Sequence, residues 1–274
     1  MIPVISLDMI YPGYDTSVKI EKVYAAGFRH VEFAGWREKD IRAVRSICLS
    51  KSVQVVNISG HRRGSIVSRD EHDLFYSDIQ DTVKKARFLQ TQYMMFLTNA
   101  VENDGRVSHS YIDLPYEEKF NNTVLALKKA VRMLPDEMKM VLEPLNTITD
   151  HKGYFLTDPA DAVRIIRAVD SPRCSMLCDL YHFGVMGFDL QQLIEEYAPF
   201  IGYVHIADFP GRHEIPEDSI YWMNILSALE SKGYDGYVGF EYVPENDSSR
   251  SIEHIAGFWK NFSATLKNKS KNHT

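Results

Sequence analysis

Four runs of this chain each set a metal-capable side chain directly after apolar residues. They are Glu143 in VLEPLN, Asp179 in SMLCDLYH, His205 in GYVHIADF and Glu241 in GYVGFEYVP. Three carboxylates and one imidazole make a donor set for a single divalent cation. Mn2+ or Mg2+ suits it best, and Co2+ or Zn2+ fits with less selectivity. Taken singly, a carboxylate after a strand is most often a cap or a surface charge. The recurrence is what points to metal. The intervals are 36, 26 and 36 residues, close to the roughly 30 residues of one βα unit in an eight-unit barrel of about 250 residues. The set reads as one ligand from each of four consecutive barrel strands, at the strand ends where such barrels place their active sites.

The elements needed to hold these ends together are present. Strand-like runs fall at 3–7, 30–33, 53–58, 93–97, 138–142, 175–178, 202–206 and 236–240. Several are apolar throughout, as expected of parallel strands buried on both faces. Helical patterns lie between them. Phe120, Val124, Leu127, Val131 and Leu134 draw one apolar stripe at steps of four and three. Asp158-Pro159 suits a helix start, and Asp189 with Gln192 resembles a capping box. Eightfold alternation favours a closed α/β barrel, the (β/α)8 TIM barrel, as one domain over residues 1–266, with 267–274 as a polar, frayed C-terminal tail. No Gly-rich loop follows the first strand, so dinucleotide binding has no support.

The 274 residues, 45% of them hydrophobic, are enough for one such core. A net charge of -6 argues against general nucleic-acid binding. Cys48, Cys174 and Cys178 form no paired pattern, which fits a reducing compartment. Cys178 precedes Asp179 on one strand, so it should face the other way as a buried small hydrophobe. No apolar run approaches the roughly 18 residues of a membrane span, and the start lacks a signal-peptide pattern, so a cytoplasmic location is expected.

The stretches VLEPLN, HIADFPGRHE (205–214) and GYDGYVGFEYVP (233–244) resemble the sugar isomerase/epimerase superfamily with the xylose-isomerase-like TIM barrel, and within it hydroxypyruvate isomerases and ketose 3-epimerases. The resemblance is specific from about residue 141 to 244. It implies that Glu143, Asp179, His205 and Glu241 hold one metal ion, and that Glu143 and Glu241 double as acid/base carboxylates. It implies that His182 and Arg212 hold substrate oxygens, with Glu214 nearby. Hydroxypyruvate isomerases commonly carry Gln where this chain has His205; the epimerases carry His. The substrate implied is a small unphosphorylated ketose or 2-keto acid, and relatives are often dimers or tetramers. The chemistry is coherent. A cation on the carbonyl stabilises the enediolate formed when a neighbouring proton leaves. One carboxylate takes the proton and the other returns it, to the adjacent carbon or to the opposite face of the same carbon.

Other residues invite a role. His61, in His61-Arg62-Arg63-Gly64 after the third strand, could contact an anionic substrate. Glu32 reads as a structural hydrogen-bonding group, and Trp36 and Tyr11 as pocket wall or core. Arg212 has the planar fork to grip a carboxylate. The same site could serve a dehydratase or decarboxylase of a keto-sugar or keto-inositol. A type IV apurinic endonuclease would need further His and Asp ligands, which this chain lacks at Phe96-Leu97-Thr98-Asn99 and at Arg212-His213-Glu214. A non-catalytic sugar-binding barrel is disfavoured by the intact Glu143 and Glu241.

Overall fold

The structure, a computed structural model, describes residues 1–271, with side chains described as far as Leu266. Strands and helices alternate: β1 (Ile2–Ser6), α1 (Thr16–Ala25), β2 (His30–Phe33), α2 (Ile41–Lys51), β3 (Gln54–Ser59), α3 (His72–Leu89), β4 (Tyr93–Phe96), α4 (Tyr116–Met133), β5 (Lys139–Leu142), α5 (Pro159–Val169), β6 (Cys174–Asp179), α6 (Leu180–Val185), α7 (Leu190–Tyr197), β7 (Ile201–Ile206), α8 (Ile220–Ser231), β8 (Tyr237–Phe240) and α9 (Ser248–Lys271). Neighbouring strands are all parallel. β8 pairs back onto β1, from Ile2 opposite Tyr237 to Ile5 opposite Phe240, so the sheet closes into a (β/α)8 barrel. The expected strands agree with these to within one residue at either end. The expected tail begins within the last turns of α9; its side chains and residues 272–274 lie outside the described residues.

Strand alternation decides which side chains reach the lumen. Val4, Val56, Tyr93, Met95, Val141, Leu177, Tyr203 and Tyr237 form one buried cluster. Their strand neighbours, Met94, Leu142, Cys178, Val204 and Val238 among them, pack in the larger core shared with the helices. The inward parity then carries on to Glu143, Asp179, His205 and Glu241. Cys178 is fully buried on the outward side, as its place before Asp179 implied. Below the acidic layer the lumen is closed by aromatic rings: Tyr203 lies 5.3 Å from Tyr93 and 6.0 Å from Tyr237.

The helix signals hold. The Asp158 side chain accepts from the Ala160 N–H with Pro159 in the first turn, and Asp189 accepts from Gln191 and Gln192 N–H. On the α4 stripe, Leu127, Val131 and the flanking Leu134 are buried, whereas Phe120 and Val124 are only partly covered. Among the described residues, no helix is long and apolar enough to cross a membrane.

Candidate metal centre and its cleft

Glu143, Asp179, His205 and Glu241 each offer a ligand atom, and these atoms all lie within 4.8 Å of one another. Each is held by a neighbouring strand end. The Glu143 N–H donates to Phe96 O at 3.0 Å. Its carbonyl accepts from the Tyr154 hydroxyl at 2.9 Å, and that hydroxyl accepts from Thr98 N at 2.8 Å, which ties the ends of β4 and β5 together. Asp179 also caps α6: its Oδ1 accepts from Tyr181 N at 2.9 Å and His182 N at 3.4 Å, which leaves Oδ2 facing the other ligands. Glu241 is set by its N–H to Ile206 O at 3.2 Å.

His205 sits between two acidic groups. Its Nε2 is 2.9 Å from Glu32 Oε1, though without the alignment of a hydrogen bond. Its Nδ1 points at Glu241 Oε2 (3.3 Å) and Glu143 Oε1 (3.7 Å). Glu32 is itself buried, and its Oε2 accepts from the Tyr203 hydroxyl at 2.6 Å and from Asn57 Nδ2 at 3.2 Å. It acts as the structural group expected, and its Oε1 faces the outer edge of His205. Packing at this point is close enough to require glycine on β8. A Cβ at Gly239 would lie 2.5 Å from Glu32 Oε1 and 2.7 Å from His205 Cδ2.

The donor set fits a divalent cation. Nδ1 of His205 is buried with no aligned hydrogen-bond partner among the described residues and is aimed into the group of carboxylates. Three carboxylates suit a hard or borderline ion, and the thiol of Cys178 is turned away. The field of the site is that of surplus negative charge. Burial pushes the Glu143 carboxyl up to about 7, against the pull of His205. Burial alone would raise Glu241 as well, but Arg212 and then His205 hold it well below the usual carboxylate range. Burial opposes charge on His205, yet Glu32 and Glu241 raise its proton affinity far above the ordinary imidazole value.

Arg212 brings positive charge to the same place. The PGRHE turn runs through Gly211 and Arg212, both left-handed (φ 108° and 57°), and folds back so that Asp208 N bonds His213 O at 2.9 Å. The guanidinium then lies over the Tyr181 ring at 4.9 Å, paired with Glu241 Oε2 and 3.4 Å from Asp179 Oδ2. His182 is buried, with Nε2 3.4 Å from Asp179 Oδ2. Burial and then Arg212 push its pKa well below the ordinary value. Both residues line a cleft of about 1260 Å³ that also contains Glu143, Glu241, Trp36 and Arg62.

Two expected substrate contacts are not found in the cleft. His61 is 2% exposed and packs between Phe75 (4.7 Å, edge-on) and Phe96 (5.8 Å, stacked), because Gly60 lets the Phe96 ring come against the strand end. Glu214 turns away to accept the Glu245 N–H at 3.0 Å and does not line the cleft. Arg63 is bound to Asp78, and Tyr11 is core; Trp36 lines the cleft. A second group, Asp150, His151 and His182, also brings ligand atoms within 4.8 Å of one another. Sequence reading passed over it and over Asn146, which contacts two of its members. The only cue was an Asn three residues after Glu143, followed by Thr149-Asp150, a pattern that favours side-chain turns.

A family model described as xylose isomerase-like TIM barrel matches residues 20–261. A hydroxypyruvate isomerase of Escherichia coli (strain K12) is 25% identical over 255 residues, covering 90% of this chain and 95% of that one. Among solved structures, an AP endonuclease, family 2, from Brucella melitensis has a TM-score of 0.84 at 23% identity, covering 94% of this chain and 98% of that one. An L-ribulose 3-epimerase has a TM-score of 0.80 at 19% identity, covering 100% of this chain and 97% of that one. Both structural likenesses are of the fold.

Proposed function

The chain belongs to the xylose isomerase-like TIM barrel family and is an enzyme of the isomerase and epimerase kind, and on that premise we propose a divalent-metal-dependent isomerase or 3-epimerase. Its substrate class is a small unphosphorylated ketose or 2-keto acid. The observation that carries this reading is the convergence of four ligand atoms within 4.8 Å beneath a cleft that also holds His182 and Arg212. The relative named hydroxypyruvate isomerase supports the keto-acid branch, and His205 supports the ketose branch.

Glu143, Asp179, His205 and Glu241 would hold the ion, Mn2+ or Mg2+ by their donor types. When bound, the ion supplies positive charge that offsets the charge developing on a substrate carbonyl oxygen. The residues do the rest. Glu143 and Glu241 come from β5 and β8 and flank His205, and they would remove and return a proton beside that carbonyl. Arg212, stacked on Tyr181 and lining the cleft, presents a planar cation to a substrate carboxylate or hydroxyl pair. His182 offers Nε2 from the buried wall. The Tyr93–Tyr203–Tyr237 floor closes the lumen below and keeps the chemistry at the mouth.

The test is a panel of ketoses and 2-keto acids in deuterated water with Mg2+ or Mn2+, read by proton NMR and mass spectrometry. Deuterium entering next to a carbonyl, with a new isomer or epimer, is the expected result and identifies the substrate. Loss of water or carbon dioxide in place of exchange moves the reaction to a dehydratase or decarboxylase on the same site. No turnover of any member of the panel refutes the proposal.

A further inference from the structure

Asn146 follows Glu143 by three residues, is fully buried, and makes a set of hydrogen bonds that leaves its amide no freedom. Its Oδ1 accepts from Thr149 N at 3.1 Å and Asp150 N at 3.2 Å, and from Thr149 Oγ1 at 3.1 Å. Backbone N–H groups only donate, so the atom facing them is the oxygen. The amide nitrogen must then face the other way. It lies 2.7 Å from Asp150 Oδ2 and 2.7 Å from His182 Nδ1.

A donor 2.7 Å from Nδ1 requires a lone pair there, so the ring proton of His182 is on Nε2. That Nε2 is buried, has no aligned partner among the described residues, and lies 3.4 Å from Asp179 Oδ2 at the edge of the cleft. The opposite tautomer would set two N–H groups against each other at the Asn146 contact. It would also leave a free lone pair on Nε2 facing Asp179 Oδ2, lone pair against lone pair.

We infer that Asn146 is a positioning residue that locks His182 as the Nε2–H tautomer. His182 is thereby a hydrogen-bond donor to a substrate oxygen, and neither ring nitrogen has a lone pair free for a second cation, because Nε2 carries the proton and the Nδ1 lone pair accepts from Asn146. The donor half of this inference rests on the isomerase reading above; the tautomer half does not.

The experiment uses the full chain labelled with 15N-histidine, with Asn146→Asp as the variant. Asp keeps one oxygen for the Thr149 and Asp150 N–H groups and presents a second acceptor to His182 Nδ1, which reverses the polarity of that contact. In the wild type, the His182 spectrum should show a protonated Nε2 and an unprotonated Nδ1; in the variant, Nδ1 should become protonated. Unprotonated Nε2 in the wild type overturns the tautomer assignment, whether or not the variant folds. For turnover, removing a donor aimed at developing charge lowers kcat by about 10²-fold or more, with KM changing far less. Unchanged kcat in a variant whose tautomer has switched overturns the donor role. A wild type that exchanges no substrate proton overturns the isomerase reading and the donor role together, and the nitrogen spectrum still decides the tautomer.

Discussion

Replacing His61 with Leu should leave catalysis intact and make the protein more resistant to acid. His61 is enclosed by Phe75 and Phe96, and Nδ1 has no hydrogen-bond partner among the described residues. Burial lowers its pKa from 6.5 to about 4, with Asp78 opposing and Arg62 reinforcing. The unfolded chain binds this proton from about pH 6.5 downward; the folded chain does not until about pH 4. In that window the unfolded state holds more protons, so the contribution of His61 to stability is full above 6.5 and is lost as pH falls. At about 1.4 kcal/mol per pH unit, the loss from this residue reaches about 1.4 kcal/mol by pH 5.5 and about 3 kcal/mol by pH 4. Leu cannot take up the proton and leaves no orphaned nitrogen. Urea unfolding of both proteins at pH 7.5, 5.5 and 4 measures the difference directly, because the carboxylates common to both cancel. The variant should gain on the wild type by those amounts as pH drops. Identical pH profiles would refute the buried neutral imidazole. A fall of more than tenfold in kcat/KM at pH 7.5 would return His61 to the substrate site.

Glu143→Gln and Glu241→Gln should each bind substrate analogues yet lower deuterium exchange by about 10²-fold or more, as expected when a positioned acid/base group is removed; normal exchange in either refutes its role. Glu32→Gln removes the charge behind His205 and should weaken Mn2+ binding by about 10- to 100-fold in calorimetric titration. An unchanged Kd there means that Glu32 does not support the ligand. Stripping the protein with a chelator and restoring Mn2+ at 100 times its Kd should stabilise it by about 2.7 kcal/mol, seen as a rise in Tm that Asp179→Ala abolishes. A Tm indifferent to added ion counts against the metal centre.

The barrel was legible because its strands are covered on both faces. An apolar run stands out at 93–96, and the turn and cap residues mark the helix starts, as Asp158 does. The metal-capable set was legible for a related reason: a period of two carries inward parity from Val141 to Glu143, and from Tyr203 to His205. What escaped depended on residues far apart in sequence. His61 follows a strand just as a site residue would, and only the arrival of Phe75 from α3 and Phe96 from β4 encloses it. Glu214 lies within the motif that carries the family resemblance, yet the backbone of Glu245, brought alongside by the β8 exit, takes its carboxylate. Asp179 illustrates a choice that residue type cannot express. Cap and ligand looked like rival readings, and its two oxygens are placed for both roles.

The four strands that carry the metal-capable side chains are neighbours, β5 to β8, so the acidic cluster occupies one semicircle of the mouth. Trp36, Arg37, Lys39 and Arg62, which also border the cleft, rise from the opposite semicircle after β2 and β3. The acidic cluster and these cationic and aromatic side chains therefore come from separate halves of the chain. Glu32 reaches across the lumen to His205 and links the two halves at the mouth, as the Tyr154 hydroxyl does between Thr98 and Glu143 where β4 meets β5.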